Sequence, residues 1–109
     1  MSSGPEATGS DPAPGADGSA MALRRSVRIT NSRGLHARAA AKMVAVTERF
    51  SSSVNVSHDG ETVPAGSIMG LMMLGAGCGS EITIEADGWD AKEALEAVAG
   101  LVEAGFHED

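Results

Sequence analysis

Gly34-Leu35-His36-Ala37-Arg38 is the segment of this chain whose residue types and spacing suit a chemical step. It lies where a strand-like alternation (Val27, Ile29) gives way to a helix-like recurrence (Ala40, Met43, Val44, Thr47, Phe50). A histidine at such a junction is the first residue of the helix or the one just before it. There the first-turn N–H groups have no intrahelical acceptor, and the helix dipole adds partial positive charge. The backbone of Ala37 and Arg38 and the Arg38 guanidinium then make an anion site around an imidazole. A nucleophile that must briefly hold a phosphoryl group needs this arrangement, so phosphohistidine chemistry at His36 is the first reading. A solvated, inert N-cap histidine is the alternative.

The elements that must position His36 follow from periodicity and punctuation. Ser26 to Thr30 alternates as a strand, and Ala37 to Phe50 recurs as an amphipathic helix. Val54 and Val56 alternate next, and His58-Asp59-Gly60 turns the chain into a short strand ending near Val63, which makes a hairpin. Pro64-Ala65-Gly66 breaks it, and Ser67 caps a short helix from Ile68 to Leu74. After the glycine-rich loop Gly75–Gly79, the residues Ile82, Ile84 and Ala86 alternate as a fourth strand. Asp90 with Glu93 is spaced as a capping box opening a last helix, whose stripe is Ala91, Ala94, Leu95, Val98, Leu101 and Val102.

The order is therefore βαββαβα, with one apolar face per strand and one apolar stripe per helix. Such elements bury their apolar surface most economically as an α+β, open-faced two-layer sandwich: a four-stranded antiparallel sheet with three helices on one face. Residues 1–22 are mostly Ser, Gly, Pro, Ala and Asp with almost nothing to bury, and are expected to be a disordered tail. Met21 begins a stretch that would serve as a start. Residues 23–109 form the single domain that a chain of 109 residues allows.

Charge placement narrows the function classes. From Leu23 to Phe50 there are seven basic residues and one acidic; from Ser51 onward Lys92 stands alone among eleven acidic residues. The histidine motif thus occupies the basic third of a chain with net charge −7, which suits phosphate or an acidic protein surface. An acidic chain with three aromatic residues argues against nucleic acid, including a ferredoxin-like RNA-binding role. No apolar run suggests a membrane span or secretory signal. One cysteine, Cys78, excludes an internal disulfide framework and suits a reducing cytoplasm.

Other residues carry weaker signals. Ile68 to Leu74 is apolar all round, so part is core, and part, drawn from Ile68, Met69, Leu71 and Met72, is expected to be a docking patch for partners. His58 reads as a turn residue and His107 as part of a frayed end; neither has metal-ligand spacing with His36, and no cofactor is implied. Trp89 is expected to anchor the start of the last helix.

Two segments, Gly34-Leu35-His36-Ala37-Arg38 and Ser67-Ile68-Met69-Gly70-Leu71-Met72, at the usual separation and in the usual element order, resemble the HPr family. These are the histidine phosphocarriers of the bacterial phosphotransferase system. The resemblance covers about Leu23 to Phe106. It implies that His36 accepts a phosphoryl group on Nδ1 from phosphorylated enzyme I, itself charged by phosphoenolpyruvate, and passes it to an enzyme IIA protein. It implies that Arg38 contacts the phosphoryl group, that the first N–H groups of the helix complete the cradle, and that Ser67 is the target of a regulatory ATP-dependent HPr kinase, as in many members. The carrier would be a cytoplasmic monomer and a covalent intermediate, not an enzyme. Sugar-transport members usually read His-Ala-Arg-Pro, whereas Ala39 follows Arg38 here. That departure, with Ala39-Ala40-Ala41-Lys42 and Leu71-Met72-Met73-Leu74, looks closer to the proteobacterial nitrogen-related, regulatory branch than to carbohydrate uptake. A phosphorylation-dependent interaction module without onward transfer is the alternative.

Overall fold

The computed structural model describes residues 22–108; the rest of the expected tail, residues 1–21, and Asp109 lie outside the described residues. Strand β1 (Ala22–Arg28) leads to helix α1 (Ala37–Thr47), the hairpin strands β2 (Ser53–His58) and β3 (Glu61–Pro64), helix α2 (Ile68–Met73), strand β4 (Glu81–Asp87) and helix α3 (Ala91–Glu103). A 3-10 turn, Gly105–His107, follows.

The strands lie in the order β1-β4-β2-β3, antiparallel throughout. Helix α3 runs against β1, β4 and β2, while α1 packs on α2 and α3 and α2 reaches β3. This is the expected two-layer sandwich with three helices on one face. Val27, Val54, Val56, Ile82, Ile84 and Ala86 line the inner face of the sheet, and Met43, Leu71, Val98, Val102 and Phe106 fill the space beneath the helices. Burial of each large apolar side chain among these contributes ~1.5–3 kcal/mol. Alanines at 39, 40, 94 and 99 are buried too, which lets the helices approach one another closely. The outer face of the sheet is polar: the hydroxyls of Ser26 and Thr83 lie 3.2 Å apart and those of Ser57 and Thr62 2.7 Å apart.

The hairpin turn is as the sequence suggested. Asp59 (φ 54°) and Gly60 (φ 88°) both take the left-handed conformation that joins strands with matching twist. Four local expectations need correction. Strand β1 starts at Ala22, because pairing with β4 runs from Ala22–Asp87 to Arg28–Glu81; Arg24 and Arg25 had masked the alternation. Ile29 lies just past the strand but stays buried, its N–H donating to the Ser80 carbonyl. Helix α1 ends at Thr47, and the N–H groups of Arg49 and Phe50 turn to the tighter 3-10 pattern. Asp90 does occupy the N-cap of α3, but its side chain makes no cap hydrogen bond. Its carboxylate instead accepts from the N–H groups of Ser51 and Ser52 and from the Ser52 hydroxyl, tying the loop before β2 to α3. Trp89 anchors nothing: it is 77% exposed.

Candidate phosphoryl site

The loop between β1 and α1 is built to hold His36 at a helix mouth. Gly34 has φ +66°, and a Cβ there would sit 2.6 Å from the Ala76 carbonyl oxygen, so only glycine allows this close approach. Leu35, buried, donates its N–H to the same carbonyl at 3.0 Å. Gly79 donates to the Ile29 carbonyl at 2.8 Å, and Arg28 donates to the Gly79 carbonyl at 3.1 Å. The glycine-rich loop after α2 is thus the floor under the histidine loop.

His36 is the N-cap of α1, in extended conformation, and its side chain makes no cap hydrogen bond. The first intrahelical bond runs from Ala40 N–H to the His36 carbonyl, so the N–H groups of Ala37, Arg38 and Ala39 have no intrahelical acceptor. Ala39 is fully buried, and the first turn is intact with alanine, not proline, at this position. His36, Arg38, Arg33 and Lys42 line one open cleft of about 360 Å³, with Ser32, His107 and Glu108 completing it. The sequence-derived pair, His36 and Arg38, is therefore brought together, and two further cations join it. Such a site gathers a dianionic group beside a nucleophilic ring.

Glu108 and Asn31 are the residues that sequence reasoning missed. The Nε2–H of His36 donates to Glu108 Oε2 at 2.7 Å, and the buried Asn31 amide donates to Glu108 Oε1 at 3.1 Å. Lys42 Nζ donates to the Phe106 carbonyl at 2.6 Å. The segment 105–108 is consequently docked, which corrects the expectation that His107 belongs to a frayed end. Burial pushes the Glu108 carboxyl up, but hydrogen bonds from His36 and Asn31, together with the nearby charge of Lys42, outweigh it and hold the group below the usual carboxylate range. The signal available was Gly105 followed by Phe106: a left-handed glycine ending α3 and an apolar residue able to turn back onto the helices.

Ser67 is the N-cap of α2 as expected, its Oγ accepting from the Gly70 N–H at 3.0 Å. Among the expected docking residues, Ile68, Met69 and Met72 are exposed, but Leu71 is fully buried and belongs to the core. Met73, at 75% exposure, joins the patch instead. A six-residue helix that buries Leu71 presents the rest of its apolar surface to solvent. His58 supports the helix end, with its Nδ1 3.0 Å from the Leu74 carbonyl. Cys78 is exposed. Among the described residues no group of His, Cys, Asp and Glu could hold a metal ion, and no helix is long and apolar enough to cross a membrane.

The chain is similar to known proteins. Residues 23–104 match the family model described as the PTS HPr component phosphorylation site. The phosphocarrier protein HPr of Cupriavidus necator is 48% identical over 86 residues, covering 79% of this chain and 97% of that protein. The phosphocarrier protein NPr of Proteus mirabilis is 42% identical over 90 residues, covering 82% of this chain and all of that protein. Among solved structures, HPr-C-His from Thermoanaerobacter tengcongensis superposes with a TM-score of 0.76 at 40% identity, covering 80% of this chain and 98% of that one.

Proposed function

We propose, for a chain that belongs to the HPr family of phosphocarriers of the phosphotransferase system, that His36 is the residue that carries the phosphoryl group. In this reading Nδ1 attacks the phosphorus of phosphorylated enzyme I, and the phosphoryl group later passes to an enzyme IIA protein. The observation that carries it is the imidazole at the open N-cap of α1, sharing a cleft with Arg38, Arg33 and Lys42. Phosphoryl transfer asks mainly for positioning and charge stabilisation, and both are supplied here by the chain itself. The N–H groups of Ala37 and Arg38 and the Arg38 guanidinium receive the equatorial oxygens. The protein is a stoichiometric intermediate, consumed and regenerated by its partners, not an enzyme turning over a small substrate.

The partner-docking surface is the exposed apolar side of α2: Ile68, Met69 and Met72, with Met73 in the place first given to Leu71. Flexible methionines suit a face that must receive enzyme I and an enzyme IIA in turn. Ser67 is the candidate for regulatory phosphorylation by an HPr kinase, at the edge of that face. Phosphate there would be tolerated at the start of a helix, so its effect would be added negative charge on the docking surface. The NPr relatives favour a regulatory relay over sugar uptake. Operation as a monomer in the cytoplasm belongs to the same reading.

The test is incubation of the protein with enzyme I and labelled phosphoenolpyruvate. Stoichiometric acid-labile label is expected in the wild type and none in His36→Ala. Label persisting in the variant overturns the assignment. Subsequent loss of label to an added enzyme IIA supports a carrier, whereas retention favours a module that only reports its phosphorylation state.

A further inference from the structure

We propose that Glu108 is a positioning residue for phosphoryl transfer, holding the His36 ring so that Nδ1 attacks and neutralising the charge that attack creates. The inference rests on His36 being the phosphoryl acceptor. Its geometric basis is a chain of contacts that begins in the histidine loop and closes through the turn after α3.

Glu108 is held from two sides. Its Oε2 accepts from His36 and its Oε1 from Asn31, at 2.7 and 3.1 Å. Asn31 is itself buried, and its Nδ2 also donates to the Gly34 carbonyl at 2.9 Å. Both amide protons are thus directed at acceptors, and turning the amide would set its oxygen against two oxygens. The Asn31 Oδ1 atom is left buried without a partner among the described residues, a cost the fold accepts to keep the amide in this orientation. Phe106 and His107 both have φ between 56° and 59°, a conformation unfavourable for side chains with a Cβ. Burial of Phe106 and the Lys42 bond to its carbonyl hold that turn closed. The consequence is to return Glu108 to His36.

A carboxylate only accepts hydrogen bonds, so the ring nitrogen facing it must carry the proton. In the neutral ring this leaves the lone pair on Nδ1. When Nδ1 attacks, its lone pair forms the N–P bond. The bond from phosphorus to the donor breaks, and that electron pair stays with the donor. The Nε2 proton does not move, so the ring takes on positive charge. Arg33, Arg38 and Lys42 also line the cleft and can only oppose that charge, and His107 can offset none of it; Glu108 is the acidic group among the described residues lining it. The same division of labour lets a carboxylate orient a catalytic histidine in hydrolase triads. A competing role is a plug, with Glu108 occupying the phosphoryl position until a partner displaces it. Its bonds to Nε2 and to Asn31 put it behind the ring instead.

The experiment uses the full chain as wild type, Glu108→Gln and Asn31→Ala. Acceptance of phosphoryl from enzyme I and phosphoenolpyruvate is followed as kcat and KM, and ring tautomers are read by ¹⁵N NMR of the unphosphorylated proteins. Glu108→Gln is expected to lower kcat by about tenfold to a hundredfold with KM little changed, the scale of a lost charge-assisted hydrogen bond. The NMR is expected to show Nε2–H with bare Nδ1 in the wild type and a mixture in the variant. Asn31→Ala, which leaves the carboxylate but frees it, is expected to move both readouts in the same direction by less. Wild-type kcat with an unchanged tautomer overturns the proposal, and a faster Glu108→Gln replaces it with the plug. Because the NMR needs no phosphoryl donor, it decides the hold on the ring even if His36 proves never to be labelled, which would sink the acceptor reading alone.

Discussion

Two helix mouths in this molecule are finished in opposite ways. At α2 the Ser67 hydroxyl turns back and accepts the Gly70 N–H, so the cap is satisfied from within. At α1 the cap residue is a histidine with no cap hydrogen bond, the first-turn N–H groups have no intrahelical acceptor, and the histidine lines a cleft with arginine and lysine. A satisfied cap stabilises a helix, and an open one binds an anion. Under the proposed function, the difference separates a site of chemistry from a site of stability.

The strongest way to break this comparison is to remove each cap in turn. His36→Ala is expected to abolish labelling and to lower the melting temperature no more than Glu108→Gln does, since the bond to Glu108 is lost but no cap hydrogen bond is. A marked fall in stability would show that His36 serves the helix as Ser67 does. Arg38→Ala is expected next, slowing transfer about tenfold to a hundredfold with enzyme I binding less affected, the scale of a hydrogen bond to a charged group. Unchanged kinetics would mean that the partner supplies that charge.

The α1 mouth was legible because its signal is local: a glycine that must turn, a histidine, and an arginine two residues on. What closes the site from behind was not. Glu108 lies 72 residues away in sequence and reaches His36 only because Gly105 ends α3 and Phe106 is buried. Strand alternation and helical stripes gave the sandwich, yet β1 was read short because Arg24 and Arg25 obscure a face that pairing with β4 defines. Leu71 was assigned to the surface because a run apolar on every side has no period to say which residue turns inward. Asp90 shows the limit of a spacing rule. The position of the cap was right, but the N–H groups of Ser51 and Ser52, brought near only by folding, outcompeted the helix for the carboxylate.

That third mouth sharpens the comparison through pH. Hydrogen bonds from the Ser52 hydroxyl and the Ser51 N–H lead the effects that hold the Asp90 carboxyl below its ordinary range, against an opposing contribution from burial. The native value is depressed, so the stabilisation is complete above the unfolded value and is lost as pH falls through the native one. The melting-temperature difference between wild type and Asp90→Asn is therefore expected to be constant near neutrality and to shrink in acid. A difference that stays level down to the acid limit would show that the charge contributes nothing and that shape alone holds the loop.

The smallest expected effect is at the closed mouth. Ser67→Ala leaves the Gly70 N–H without its acceptor and should cost ~1 kcal/mol, the usual worth of an N-cap hydroxyl. Its rate of labelling at His36 should match wild type, because α1 and its cleft do not depend on that bond. Ser67→Asp separates structure from regulation: aspartate also caps, so stability should hold, while the negative charge sits at the edge of the Met69 and Met72 face. Weaker docking of enzyme I with unchanged melting is expected. Equal docking would mean that this mouth is closed to regulation as well as to chemistry, and the contrast between the two helices would then be complete.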